Sequence, residues 1–391
     1  MISTAAARRA YEGPALFSFG FRPFFLFGAI WSAAVVPLWL YSYFHGGFEA
    51  LTREWHIHEM IFGFLGAVIA GFLTTAVPNW TGRMPVVGAP LCGLVALWML
   101  GRVAMLYPGI LGAAAAVIDS LFLLAFAAVI WREVLTGRNW RNLPVCGLVT
   151  VFALANVASH LPATVASEAG VRLALAAASV LIALIGGRIV PSFTRNWMKA
   201  RSLAPEPALF GPVDRAALGL TVVGAGLWVV APQAAVSGLA LGLAGLAHLV
   251  RLARWRGWRA AAEPLVWILH LGYGWLGAGL LLLGGASLDP AVVPRSAGVH
   301  ALTAGAVGVM TLAVMTRATR GHTGRPLAAG AGTLAIYVAI NGAALLRVAA
   351  PFSGAGQPWL LGASGLAWSL AFGGFALAYG RMLTTPRPRA A

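Results

Sequence analysis

"EWHIHEMIFGFLGAVIAGFLTTAVPNWTGR", residues 54–83, opens on two histidines and two acids and then runs apolar for about 20 residues. At 1.5 Å per residue such a run covers the roughly 30 Å hydrocarbon core of a bilayer. It therefore reads as a transmembrane helix with an ionisable rim. The rest of the chain agrees: of 391 residues, 60% are hydrophobic and 10% charged, outside the range of soluble domains. Apolar runs separated by Pro, Gly, Asn and Arg predict spans near 23–44, 57–77, 87–107, 109–131, 143–162, 170–190, 214–231, 233–251, 263–284, 295–316, 328–350 and 358–381. The expected fold class is all-α, a polytopic membrane protein with 12 transmembrane helices in one integral membrane domain, 1–391. Helices 1–6 occupy about 23–190, the longest loop is 191–213, and helices 7–12 occupy about 214–381.

The formal charge of +16 does not imply nucleic acid, because the basic residues form short clusters between apolar runs. With the N-terminus in the cytoplasm, all but Arg53, Arg102, Arg172, Arg295 and Arg347 of the 27 Lys and Arg fall on the cytoplasmic side, which gives cytoplasmic termini. The N-terminal segment lacks a cleavable apolar core and is expected to be retained. Cys92 and Cys146 have no CxxC spacing and read as small core residues.

The opening stretch has a second copy. His58, Gly63, Gly66 and Thr81-Gly82-Arg83 recur at identical spacing as His300, Gly305, Gly308 and Thr323-Gly324-Arg325. A weaker echo joins "VPNWT" (77–81) to "VPSFT" (190–194). Helices two, six and ten would then be equivalent members of three four-helix units, with His58 and His300 at matched depth. Glycines on the same helices admit a close neighbour or a flat ring.

Ionisable groups inside a bilayer are functional candidates by default. His45, His56, His58, His160 and His300 map to the outer ends of helices, consistent with an outward-facing metal centre. For His45 and His160 the simpler reading is tolerance of headgroups. His56 and His58 diverge by about 200° on a regular helix and would share an ion only if helix two began near His58. Glu54 or Glu59 could orient an imidazole or supply protons, as could buried Asp119 near the middle of helix four. His270 lies too deep for His300's ion and points to a second centre or the far side of a haem. His248 either snorkels or faces it, and His322 lies in an inner loop.

"FSFGFRPFF" (17–25), "WHIHEMIFGF" (55–64), "VPNWTGR" (77–83), "RIVPSFTRNW" (188–197), "LHLGYGW" (269–275) and "RATRGHTGRP" (317–326), in this order, resemble the NnrS family. The resemblance implies a bacterial inner-membrane protein carrying haem, of b type, and copper. It implies action on nitric oxide in nitrosative stress defence, with an electron donor that the sequence does not name. Carried over, the metal ligands are His56, His58, His270 and His300, with His322 in the matching HTGR motif. Arg22, Arg83, Arg188 and Arg325 match family positions and are candidates for haem propionates. The helix count is also similar to the catalytic subunits of haem-copper oxidases and nitric oxide reductases, which is analogy of fold. The alternatives are a 12-helix transporter, a non-catalytic nitric oxide sensor, or a metal-delivery protein. A transporter's two-fold repeat would pair helix two with helix eight, whereas the repeat found pairs two with ten.

Overall fold

The computed structural model describes residues 11–161 and 165–388. Arg8, Arg9 and Arg389, which contribute to the expected charge asymmetry, lie outside them. The chain is a succession of helices: α1 (Phe21–His45), α2 (Arg53–Thr81), α3 (Ala89–Ala104), α4 (Ala113–Thr136), α5 (Leu143–Ser159), α6 (Ala166–Lys199), α7 (Pro212–Val230), α8 (Ala235–Arg254), α9 (Pro264–Leu288), α10 (Arg295–His322), α11 (Ala331–Ala349) and α12 (Gln357–Thr384). Eleven of these spans are long and apolar enough to cross a bilayer, and the protein is a multi-pass, all-α membrane protein. Each expected span falls on one of the twelve helices. The third differs in length: α3 has 16 residues, about 24 Å, because the chain turns at Met105 towards the short Pro108–Leu111 helix. Outward-facing Leu, Val and Trp side chains, such as Leu377, Leu366 and Trp359, cover the bundle's surface, as lipid requires.

Contacts divide the chain into two compact units. The first holds the residues up to Ala174, Ala318–Pro326 and the stretch from Phe372 onwards. Within it α1 packs on α2, α3 on α4, and α4 on both α2 and α5. The second holds Leu175–Arg317 and Leu327–Ala371. There α8 lies between α7 and α9, and α9 packs on α10. Small residues let these backbones approach closely: a Cβ at Gly284 of α9 would lie 2.7 Å from the Gly238 carbonyl oxygen of α8, and one at Gly245 would lie 2.8 Å from that of Gly277.

The repeat inferred from the sequence has a structural counterpart. In α2 a six-residue helical lead, Arg53–His58, passes into a seven-residue π-helical segment, Glu59–Leu65. In α10 the lead is Arg295–His300 and the π segment Ala301–Val307, again six residues and seven. Each histidine thus ends a regular turn immediately before the helix widens, an arrangement frequent at functional sites. Gly66 faces Leu123 of α4, and Gly308 faces Trp368 of α12, so the two glycines seat equivalent neighbours. Helix α6 carries a shorter π segment, Ile182–Gly186, with no histidine before it. Cys146 is buried as expected, whereas Cys92 is exposed, because its face of α3 points away from the helices that pack on it.

Close packing between α9 and α10 supplies a direct check. A Cβ at Gly298 would lie 2.6 Å from the Leu283 backbone, which has no side-chain freedom with which to yield, while one at Gly242 meets nothing. Gly298→Ala is expected to destabilise by about 1–3 kcal/mol and Gly242→Ala to be neutral or better, read as the thermal unfolding midpoint in detergent.

Candidate metal centre

The start of α2 is set by Thr52, whose hydroxyl accepts from the Trp55 amide at 3.1 Å and caps the helix. The chain is therefore already helical through His56 and His58, and the two rings diverge. His56 stacks on Trp39 with ring centroids 4.1 Å apart. His58 turns inward, with its Nε2 3.1 Å from Asp119 Oδ2 on α4. The extended start that would have let the pair share an ion does not occur, because the cap fixes the helix five residues earlier.

Around His58 the first unit gathers a polar cluster from five helices, α1 to α5. His160, directly after α5, places Nε2 2.9 Å from the same Asp119 Oδ2, and Asn156 of α5 donates to it at 2.9 Å. Ser120 donates in turn to the Asn156 amide oxygen at 3.2 Å. On the other side of His58, Nδ1 lies 3.3 Å from Glu59 Oε1. Glu59 Oε2 accepts from Arg102 Nη1 at 2.6 Å and from Trp31 Nε1 at 2.7 Å. Arg102 Nη2 closes the circuit by donating to Asp119 Oδ1. Asp119 lies in the second turn of α4, nearer the helix end than the sequence suggests, because α4 begins only at Ala113. The π segment contributes through Gly63: Trp98 donates to its carbonyl at 2.9 Å, and any side chain there would collide with the Arg102 guanidinium.

Arg102, Glu59 and Asp119 are all at least 97% buried, so their charges must be balanced within the cluster. Two carboxylates against one guanidinium leave one negative charge when both imidazoles are neutral. The cluster accordingly favours one more positive charge.

The donor set fits a metal ion. One ligand atom each from His58, Asp119 and His160 lies within 4.8 Å of the others. The 2.9 and 3.1 Å spacings from Asp119 Oδ2 match what two bonds of about 2.1 Å at right angles require. Glu59 accepting from Nδ1 of His58 directs that ring's Nε2 lone pair towards the site, the usual outer partner of a ligating histidine. Two imidazoles and a carboxylate suit iron, copper or zinc.

The other residues singled out from the sequence lie elsewhere. Glu54 is exposed and pairs with Arg53 at 3.2 Å. Arg22 donates to the Leu383 and Thr385 carbonyls at 2.9 and 2.8 Å, tying α1 to the end of α12. Arg83 pairs with buried Glu133 at 2.8 Å. Arg188 follows the π segment of α6, and Arg325 follows α10 beside Gly324, whose φ is +72°. His322 packs against the rings of Phe19 and Phe21.

In the second unit, His300 Nδ1 lies 2.8 Å from the Ser296 carbonyl one turn earlier; donating to it selects the tautomer with its lone pair on Nε2. His270 Nε2 meets Thr194 Oγ1 at 2.8 Å, while its Nδ1 lies against Gly257, where a Cβ could not fit. His248 has both nitrogens engaged, by Thr221 at 2.6 Å and Tyr273 at 2.8 Å. Tyr273 also accepts from Arg251, which binds Asp214 at 2.6 Å and the Ala183 carbonyl at 2.8 Å, where α6 widens.

A family profile described as NnrS protein matches residues 15–387. The chain belongs to the NnrS family. Membership fits a membrane protein linked to the nitric oxide response. No curated protein matches the chain. For this NnrS protein, the motif WHIHE marks one edge of the cluster, but Arg102, Asn156, His160 and Trp31 carry no motif signal. Of these, only His160 had a partial clue, as one of several histidines at helix ends.

Removing the central cation should expose the balance. Arg102→Met leaves Glu59 and Asp119 buried without their shared partner and is expected to cost about 3–5 kcal/mol, or to prevent accumulation of folded protein. Arg132→Met, at an exposed partner of Glu133, is expected to change the unfolding midpoint little.

Proposed function

We propose that this NnrS protein binds nitric oxide at a metal centre held by His58, Asp119 and His160, and that it reduces or otherwise removes the bound gas. The convergence of two imidazole nitrogens and one carboxylate oxygen within 4.8 Å carries the reading. Copper is the metal the family resemblance implies, and the donor set suits it. Haem is the second implied group, and His300 would be a residue to hold it, because donating from Nδ1 to Ser296 leaves the ring's lone pair on Nε2. Bound iron or copper would supply one-electron redox chemistry and an open position for a diatomic ligand.

The chain's own side chains give this centre its character. Glu59 holds the His58 ring in orientation, and Asn156 fixes Asp119 from the other side. Arg102 bridges the two carboxylates, so that neither stands without a cationic partner. Trp31 and Trp98, whose rings meet edge to face, close the apolar wall around Glu59 and Gly63. Reduction of two nitric oxide molecules to nitrous oxide and water consumes two electrons and two protons. The electrons come from a donor outside the chain. His160, 12% exposed at its side chain, gives the cluster an edge for proton entry.

Purified protein should contain stoichiometric copper and show a Soret band. His160→Gln is expected to lower copper content about tenfold or more while leaving the unfolding midpoint nearly unchanged. Undiminished copper in that variant would remove His160 from the site. With an artificial reductant, an electrode should register nitric oxide consumption; binding without consumption would instead make the protein a sensor.

A further inference from the structure

The second unit carries a pocket of about 620 Å³ at the arginine-rich end of α8, separate from the histidine cluster. One wall is the loop after α6, fastened by the Ala208 amide donating to the Arg254 carbonyl at 3.1 Å and by Arg195 donating to the Pro207 carbonyl at 3.1 Å. The other wall is α8 itself, through Val250 and Ala253, and the rim is Arg256 and Trp258.

Most charges here are already matched. Glu206 sits between Arg195 at 3.2 Å and Lys199 at 3.5 Å. Asp214 binds Arg251 and, at 3.3 Å, Arg254. Arg256 differs: its guanidinium makes no hydrogen bond or ion pair with the described residues, although the side chain is partly buried over the pocket. Its φ is +55°, a strained conformation that glycine would adopt more easily, so the turn holds a cation where the backbone alone would favour none.

Two further observations select the class of ligand. Val236, Leu239, Leu243, Leu246 and Val250 are each at least half exposed and recur at helical spacing, so an apolar track runs along α8 into the pocket. From Val236 to Val250 it rises about 21 Å, comparable with an extended acyl chain. Trp258, 64% exposed, stands at the polar end of that track, where indoles settle between chain and headgroup.

We propose that this pocket binds one anionic phospholipid, its phosphodiester against Arg256, its glycerol region against Trp258 and one acyl chain along α8. The charge rule places this end of α8 on the cytoplasmic leaflet, where anionic lipid and basic pockets meet. A small soluble anion would have no use for the track, and a zwitterionic lipid, though it carries the same phosphodiester, brings its own cation and adds no net negative charge to offset Arg256.

The test is native mass spectrometry of the full-length protein in neutral detergent, with equimolar dioleoyl phosphatidylglycerol and dioleoyl phosphatidylcholine. Wild type is expected to retain one phosphatidylglycerol in preference. Arg256→Gln should reduce that preference about fivefold, while Arg256→Lys retains most of it. Arg138→Gln, at another left-handed arginine (φ +49°) in the first unit, should leave it intact. Equal retention of the two lipids by wild type, an unchanged preference in Arg256→Gln, or displacement of the lipid by millimolar inorganic phosphate would each overturn the proposal.

Discussion

The Arg102 guanidinium is the contact on which the first unit depends. It lies between Glu59 of α2 and Asp119 of α4 with all three groups out of contact with solvent. In a bundle surrounded by lipid, either carboxylate alone would cost several kcal/mol to keep charged. Arg102 makes both tolerable and leaves one oxygen of each carboxylate facing His58. The imidazole is consequently held at Nδ1 by Glu59, with its Nε2 facing Asp119, and both carboxylates are themselves fixed. An orientation shared by five helices is what a metal ligand needs, because a loose ring loses affinity through its own freedom.

Widening of α2 accompanies the same arrangement. In the widened stretch after His58, the Arg102 guanidinium lies against Glu59 and Gly63, and Trp98 reaches the Gly63 carbonyl. That stretch is the π segment, and α10 repeats it at the same distance after His300. The polar partners were not repeated: at the same offset Glu59 corresponds to Ala301, Arg102 to Ala344 and Asp119 to Leu361. The duplicated element is thus a backbone device, a histidine followed by a widened turn. The cluster at His58 is an addition that only one copy carries.

Helix number and order were legible in the sequence because a bilayer imposes one length on every span. The repeat was legible because glycine and histidine spacing survives on a helix. The cluster was not, since its members are far apart in the chain: His58 and Asn156 are separated by 98 residues, Arg102 and Glu59 by 43. Arg102 was assigned to a membrane face by charge counting, which records where cations lie along the chain and not what they touch. His160 looked like a headgroup residue for want of any sign that Asp119 stood opposite. The onset of α2 could have been read from Thr52, a capping residue just ahead of a helical stretch, and that reading would have separated His56 from His58 at once.

X-ray absorption at the copper edge of the metal-loaded protein tests the central claim most directly. Two imidazole ligands with one or two oxygen donors and no sulfur is the expected first shell, matching His58, His160 and Asp119. A sulfur scatterer, or a first shell containing no imidazole, would contradict the assignment.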